Sequence, residues 1–352
     1  MLASLLLLLI CNSSFSQWQL SLTMQTNETI AGISSPTDNV IWAITNNFFV
    51  YTTNNQGSNW KRIKCNGLAA NVFLSQLYAL NETTAFMGVN TGFTGVGPGI
   101  IYKTTDGGKN WQQVFTHVGN CDIIIGMFDD NKGLMACSFS SFNGTVPAGQ
   151  TLYYTLNGGA KWNVYPKTLS TDIAIIGLIT KDKKAGIIDY NNFYASVNSG
   201  VNFTTKDKLT NTASTKYTYQ FEDSNYALLT YGGNAGILVK RPGTKGWIDQ
   251  STTPGLTGDF VSAIVLDKNE CWITEALDNN KLFYSSDSAK TFMASVPVPN
   301  TSFQYLTKAR AGRILVAGSP SFSQGKIWIN KRQVLTASKS YYQHNKTSAA
   351  ID

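Results

Sequence analysis

Histidine, arginine and cysteine are scarce in this chain of 352 residues, and their scarcity excludes several kinds of active site. The only histidines are His117 and His344, and no CxxC pair occurs. We therefore predict no metal site and no cofactor. A histidine-based catalytic triad is not expected either, because His117 has no recognisable partner motif and His344 lies in the predicted C-terminal tail. Lys and Arg outnumber Asp and Glu by 28 to 21 without forming a basic run, so no nucleic-acid partner is predicted.

Long apolar runs are also missing beyond the first residues, so no membrane span is predicted. The one short apolar run centres on residues 5–10 and ends in small residues at Ser14 and Ser16. This arrangement is typical of a secretory signal peptide, here residues 1–16, and predicts a secreted, extracellular protein. In a eukaryotic host this compartment would allow glycosylation, and sequons lie at Asn27, Asn81, Asn143, Asn202, Asn300 and Asn345.

The chain does contain a recurring octapeptide, TTDGGKNW at residues 104–111. Versions of it begin at residues 53, 104, 155, 196 and 285, and a remnant begins at residue 240. The successive gaps are 51, 51, 41, 44 and 45 residues. A period in this range indicates a repeat architecture.

Each copy follows the pattern Ser/Thr, any, Asp/Asn, any, Gly, any, any, Trp/Phe. Asp or Asn closes a turn through its side chain, Gly supplies a positive φ, and the aromatic residue anchors the hairpin to its sheet. We assign these positions a structural role. They are Asn55, Trp60, Asp106, Trp111, Asn157, Trp162, Asn198, Phe203, Asp287 and Phe292.

Strand-like runs around the octapeptides predict an all-β fold, a seven-bladed β-propeller of four-stranded antiparallel blades. Inner strands are expected to begin near residues 28, 72, 122, 172, 215, 259 and 301. The seventh segment lacks an outer strand, so the N-terminal segment at residues 18–22 is predicted to supply it and close the ring. The propeller would span residues 17–337 as a monomer, followed by a flexible C-terminal tail at residues 338–352.

The cysteines after the leader are Cys65, Cys121, Cys137 and Cys271. Cys65 and Cys121 each follow the outer strand of successive repeats and should reach the same face of neighbouring blades. We therefore predict a Cys65–Cys121 disulfide, which an oxidising compartment would favour. Cys137 and Cys271 fall within strands, where buried free thiols are expected.

The octapeptide resembles the Asp-box, or BNR repeat, of sialidase-type propellers. Over its whole length after the leader, the chain is most similar to propellers of the photosystem II stability/assembly factor type. The similarity is carried by blade phrases such as IYKTTDGG…W at residues 101–111 and YYTLNGG…W at residues 153–162. The resemblance implies a non-enzymatic scaffold that holds a partner polypeptide. Sortilin and xyloglucanase-type propellers are related.

Enzymatic functions are the alternative to this scaffold. A sialidase requires three arginines that clamp a carboxylate, but the first of only five arginines, Arg62, falls on an outer strand. A sialidase is therefore not expected. Another glycoside hydrolase needs only two carboxylates. Asp122 and Asp172 begin inner strands of adjacent blades and are the candidate catalytic pair, although Asp at a strand start also caps turns.

Binding is predicted on the face opposite the octapeptides, where three long loops each present one aromatic residue. These ligand-binding candidates are Phe93, Phe142 and Phe322. An aromatic residue among Gly and Ser can anchor a sugar ring or a protein, or it can pack within its own loop. The expected partner is an extracellular protein or polysaccharide. A structural component of an extracellular coat or matrix is a further alternative.

Overall fold

We describe the fold from a computed structural model. The structure describes residues 18–92, 97–138, 152–166, 169, 175–189, 192–209, 216–223, 226–231, 236–241, 243–250, 256, 260–275, 282–294, 303–309, 315–319 and 324–330. The predicted leader at residues 1–16 and tail at residues 338–352 lie outside this part of the chain. Among the described residues, no helix has the length and apolar character needed to cross a bilayer.

The described strands form an all-β propeller of four-stranded antiparallel blades, which confirms this part of the prediction. Seven four-stranded sheets are present in the described residues. The first three contain β2 (Ile30–Ser34), β3 (Ile41–Thr45), β4 (Phe49–Thr53) and β5 (Lys61–Lys64); β6 (Phe73–Ala79), β7 (Ala85–Asn90), β8 (Pro98–Thr104) and β9 (Gln112–Asn120); and β10 (Asp122–Met127), β11 (Gly133–Ser138), β12 (Leu152–Thr155) and β13 (Asn163–Val164).

The next three sheets follow the same order along the chain. They contain β14 (Ile175–Lys181), β15 (Lys184–Asp189), β16 (Asn192–Ser196) and β17 (Thr205–Lys208); β18 (Lys216–Asp223), β19 (Tyr226–Tyr231), β20 (Gly236–Lys240) and β21 (Ile248–Asp249); and β22 (Phe260–Val265), β23 (Cys271–Glu275), β24 (Leu282–Ser285) and β25 (Met293–Ala294).

The last sheet combines the two ends of the described chain. Its strands are β26 (Tyr305–Lys308), β27 (Leu315–Ser319), β28 (Lys326–Asn330) and β1 (Trp18–Thr23). Strand β1 pairs antiparallel with β28, from Trp18 opposite Asn330 to Thr23 opposite Lys326. The first strand therefore occupies the outer edge of the last sheet.

The core lies between the sheets, which explains the nearly continuous apolar runs of the middle strands. All five residues of β3 are buried, as expected for a strand covered on both faces. One apolar cluster joins the first and second sheets, including Trp42 and Met87. Another joins the last sheet to the first, including Ile41 and Ile329. Each sheet is thus stabilised mainly by packing against its two neighbours.

Five turns between third and fourth strands share one hydrogen-bond pattern. The Ser or Thr hydroxyl donates to the Asp or Asn Oδ1 atom over 2.8–3.0 Å and accepts the N–H of the fifth residue over 2.9–3.2 Å. The same Oδ1 atom accepts the N–H four residues further on over 2.9–3.0 Å. The Asp or Asn residues are Asn55, Asp106, Asn157, Asn198 and Asp287. Each octapeptide therefore folds through its own local contacts.

The last residue of each octapeptide packs against the sheets. Trp111, Trp162 and Phe292 are buried, whereas Trp60 and Phe203 are partly buried. Position five has a left-handed backbone in every copy, including Ala289, where φ is 61°. This conformation explains why glycine stands at that position in the other copies.

The predicted Cys65–Cys121 disulfide is wrong. All four described cysteines are buried thiols outside any disulfide. Cys65 packs in the cluster between the first and second sheets, whereas Cys121 packs in the cluster between the second and third. The second sheet separates the two thiols, because an equivalent position in successive blades faces a different inter-blade layer. Cys137 and Cys271 are buried, as expected.

Candidate functional site

Strand register defines two faces of the propeller. In the second sheet, the octapeptide begins at Thr104, which pairs with Ala85 at one end. Phe73 pairs with Asn90 at the other end. Loops between second and third strands and the connections between sheets also lie at this second end, which we call the upper face. Binding sites of rigid β-scaffolds are commonly built on such loops.

A polar and aromatic cluster lies on the upper face where the second and third sheets meet. It consists of Phe73, Ser75, Asn90 and Asp122, and we call it the mouth cluster. Phe73, Ser75 and Asp122 lie on the inner strands β6 and β10, so they stand at the mouth of the central channel. Phe73 is 37% exposed. The cluster thus places an exposed ring beside the partly buried Ser75 and Asp122, a composition suited to recognising a ligand, while the buried Asn90 holds the carboxylate in place.

Asp122 is the only candidate catalytic carboxylate of the sequence analysis whose position is described. Its Oδ1 atom accepts hydrogen bonds from Asn90 Nδ2 at 2.6 Å and from Ser75 Oγ at 3.1 Å. These bonds connect the third sheet to the second and hold the carboxylate in one orientation. Asp122 therefore has a structural role at this junction, whatever else it contacts.

The remaining predicted site residues lie outside the described part of the chain. They are Asp172, Phe93, Phe142 and Phe322. The separation of the proposed carboxylate pair is therefore undefined, and the grouping of the three aromatic residues stays a prediction. Their loops emerge from strand ends on the upper face, such as Asn90 of β7 and Ser138 of β11.

A second cluster on the upper face ties the connection before β2 to the first sheet. Glu28 is buried and pairs with the guanidinium of Arg62, and it accepts a hydrogen bond from Tyr51 Oη at 2.6 Å. Burial acts to raise the pKa of Glu28, but the hydrogen bonds from Arg62 and Tyr51 outweigh it and lower the pKa. Arg62 also stacks 3.4 Å from the centre of the Phe49 ring. Its charge is therefore paired with Glu28 within the fold.

A third cluster brings together His117, Cys121 and Cys137, all buried, with their donor atoms within 4.8 Å of one another. The sequence did not predict this cluster, because no CxxC pair marks it and His117 has no recognisable partner motif. Burial raises the pKa of Cys121. Burial also acts to raise the pKa of Cys137, but interactions with Cys121 and His117 outweigh it and lower the pKa. The His-x₃-Cys spacing of the first two residues was the available signal.

Four-stranded blades with Asp-box turns define the class of this protein, a BNR-type β-propeller. A family model described as "Photosynthesis system II assembly factor YCF48" matches residues 11–279, and the chain belongs to this family. The resemblance found in the sequence is thereby confirmed. A search of curated proteins finds no match.

Solved structures share the fold. The structure described as "YCF48 bound to D1 peptide" is 14% identical, with a TM-score of 0.64, and the alignment covers 90% of this chain and 95% of that one. YCF48 from Cyanidioschyzon merolae is also 14% identical, with a TM-score of 0.62, and the alignment covers 88% of this chain and 98% of that one. The GH74 xyloglucanase from Xanthomonas campestris is 10% identical, with a TM-score of 0.63, and the alignment covers 89% of this chain but 53% of that enzyme.

Proposed function

We infer that this protein is a non-enzymatic propeller that binds a segment of a partner protein on its upper face. The observation that carries this proposal is membership of the YCF48 family over residues 11–279. A solved YCF48 that shares the fold over 90% of this chain is bound to a D1 peptide. A polypeptide partner is therefore the ligand class that the family supports best.

Local chemistry at the mouth cluster supports the same ligand class. Phe73 offers an exposed ring, and the partly buried carboxylate of Asp122 is held beside it by the buried Asn90 and by Ser75. An aromatic anchor surrounded by positioned polar groups suits a peptide, which presents apolar side chains and backbone amides together. Phe93, Phe142 and Phe322, whose loops leave strand ends on the upper face, belong to this proposal as further anchors.

The complete architecture is part of the proposal. We propose a ring of seven blades closed by the N-terminal strand, supported by the seven four-stranded sheets and by the pairing of β1 with β28. Contacts between inner strands run from each sheet to the next and from β26 back to β2, as a closed ring requires. Export through the predicted leader and an extracellular partner complete the proposal.

Peptide selection tests the binding site. Peptides enriched from a random displayed library on the purified protein should bind the Phe73→Ala variant about tenfold more weakly, since an aromatic anchor contributes on the order of 1–2 kcal/mol. Leu156→Ala is the matched control, because Leu156 is 62% exposed in the third octapeptide, on the opposite face. The binding site is misplaced if Phe73→Ala binds as well as the wild type, and the function is wrong if no peptide is enriched.

The glycoside hydrolase alternative is tested on the same preparation. The shared fold of the GH74 xyloglucanase and the position of Asp122 at the channel mouth motivate it. Release of reducing ends from a polysaccharide panel by the wild type, abolished in both Asp122→Asn and Asp172→Asn variants, would establish a hydrolase. The binding proposal expects no release.

A further inference from the structure

An unusual strand in the second sheet creates the cluster of His117, Cys121 and Cys137. Strand β9 has nine residues, whereas the other fourth strands formed from consecutive segments have two to four. Its register against β8 shifts twice. This extension carries His117 along the sheet to the thiols at the junction with the third sheet.

The two cysteines reach the same place from different strands. Cys121 directly precedes β10, and its N–H donates to the carbonyl oxygen of Gly97. Cys137 lies on β11 opposite Ile123. Gly99 leaves room for the cluster, because a Cβ atom there would lie 3.0 Å from Cys121 Sγ and 2.9 Å from its carbonyl oxygen.

We propose that His117, Cys121 and Cys137 form a buried binding site for a divalent, thiolate-preferring metal ion, with zinc as the ion that fits best. In tetrahedral zinc sites the donor atoms lie about 3.5–4 Å apart, given Zn–S bonds of about 2.3 Å and Zn–N bonds of about 2.0 Å. The donor atoms here lie within 4.8 Å of one another. Closing on an ion therefore requires only small side-chain movements.

Charge and burial favour a divalent ion. Two thiolates and a neutral imidazole carry two negative charges, which one Zn²⁺ ion neutralises, so the loaded site places no net charge in the core. Binding would deprotonate both thiols and release two protons to solvent. Apolar residues around the site, such as Ile123 and Met135, pack in the same cluster as the thiols and limit access of water.

Three protein ligands leave one coordination position for a water molecule or another donor, as in open zinc sites. The ring of Tyr153 lies 6.0 Å from the His117 ring, nearly perpendicular to it, and restricts its orientation. The site would join β9, β10 and β11 at the upper face next to Asp122. Its function would be to fix the junction of the second and third sheets, independently of the ligand-binding proposal.

Metal analysis of the full chain tests the site. Purified under reducing conditions and equilibrated with zinc chloride, the protein should retain about one zinc ion per chain. Titration with cobalt chloride should produce thiolate-to-cobalt charge-transfer absorption. Cys121→Ser and Cys137→Ser should lose this absorption, and His117→Gln should bind zinc more than about tenfold more weakly. Cys65→Ser is the matched control, since Cys65 is also a buried thiol, and should behave as the wild type.

A second measurement does not depend on whether the variants of the three proposed ligands fold. Zinc should raise the melting temperature of the wild type and of Cys65→Ser, and a chelator should reverse the increase, because a ligand of the native state stabilises it by mass action. Folded wild-type protein that retains no zinc and shows no cobalt absorption would overturn the proposal. So would absorption that persists in both Cys121→Ser and Cys137→Ser, or a Cys121–Cys137 disulfide that forms in air despite saturating zinc.

Discussion

Single side chains in the Asp-box turns determine how much each turn contributes to stability. Asp106 and Asp287 are carboxylates where the other three copies have asparagine. Burial acts to raise the pKa of Asp287, but hydrogen bonds from the hydroxyl groups of Thr291 and Ser285 and from the Thr291 N–H outweigh it. They lower the pKa to about 2. The ionised form is therefore favoured by folding.

The pKa of Asp287 predicts a pH dependence. Because the folded-state pKa is lowered, the stabilisation is present above the ordinary value of about 4 and is lost as pH falls towards 2. Asp287→Asn should destabilise the protein by about 1–2 kcal/mol near pH 5, and by much less at the lowest pH where the protein still folds. Urea unfolding at both pH values measures this, with Asp130→Asn, in an exposed turn, as control. A pH-independent difference between wild type and Asp287→Asn would contradict it.

Elements pack through their turns as well as their strands. In the third Asp-box, Gly159 has a φ of 77°, and a Cβ atom there would lie 2.5 Å from Cε1 of Phe86 in the neighbouring sheet. This glycine therefore provides both a left-handed backbone and a close approach between sheets. Gly246 has a φ of 78°, but a Cβ atom there would meet no atom within 4 Å.

Alanine at these two glycines separates backbone conformation from packing. Gly246→Ala should lower the free energy of unfolding by about 1 kcal/mol, because the Cβ atom of alanine disfavours a left-handed backbone. Gly159→Ala should cost about 1–3 kcal/mol more, because the added methyl group displaces Phe86. The free energy of unfolding in urea gives both values. Equal losses of unfolding free energy in the two variants would show that the contact between the third Asp-box hairpin and the second sheet is loose.

At the scale of the whole molecule, the strand order places the first described strand in the last sheet. Trp18 of β1 is 7% exposed and packs 5.6 Å from the Phe303 ring and 5.9 Å from the Trp272 ring. Phe303 lies just before β26 of the last sheet, and Trp272 lies on β23 of the sheet before it. Trp18 thus anchors the N-terminal strand to two sheets at once.

Truncation of this anchor tests the proposed ring closure. Trp18→Ala should destabilise the protein by about 3–5 kcal/mol, because a large buried ring is lost and a cavity remains. Leu20→Ala in the same strand should cost less than about 1 kcal/mol, since Leu20 is 48% exposed. Thermal and urea unfolding compare the two variants. If Trp18→Ala and Leu20→Ala both lower the free energy of unfolding by similar small amounts, β1 contributes little to the stability of the propeller.

Most of the fold could be predicted from the sequence, and less of the candidate site. Inner strands begin within four residues of the predicted positions, for example at Phe73 and Asp122. Apolar runs bounded by turn residues carry that information locally. By contrast, the partners of Asp122 are Ser75 and Asn90 of the neighbouring sheet. Such contacts depend on how two sheets are placed against each other, which no local pattern records.

The sequence by itself determined the Asp-box hairpins, the order of strands and the class of protein, because each turn closes through hydrogen bonds among residues two to four positions apart. Only the tertiary structure decided which cysteines meet. Cys65 and Cys121 occupy equivalent positions along the chain but opposite sides of the second sheet, whereas the long strand β9 brings His117 to Cys121 and Cys137. Distances across a sheet and between sheets follow from register, strand length and packing, so they emerge only when the blades assemble.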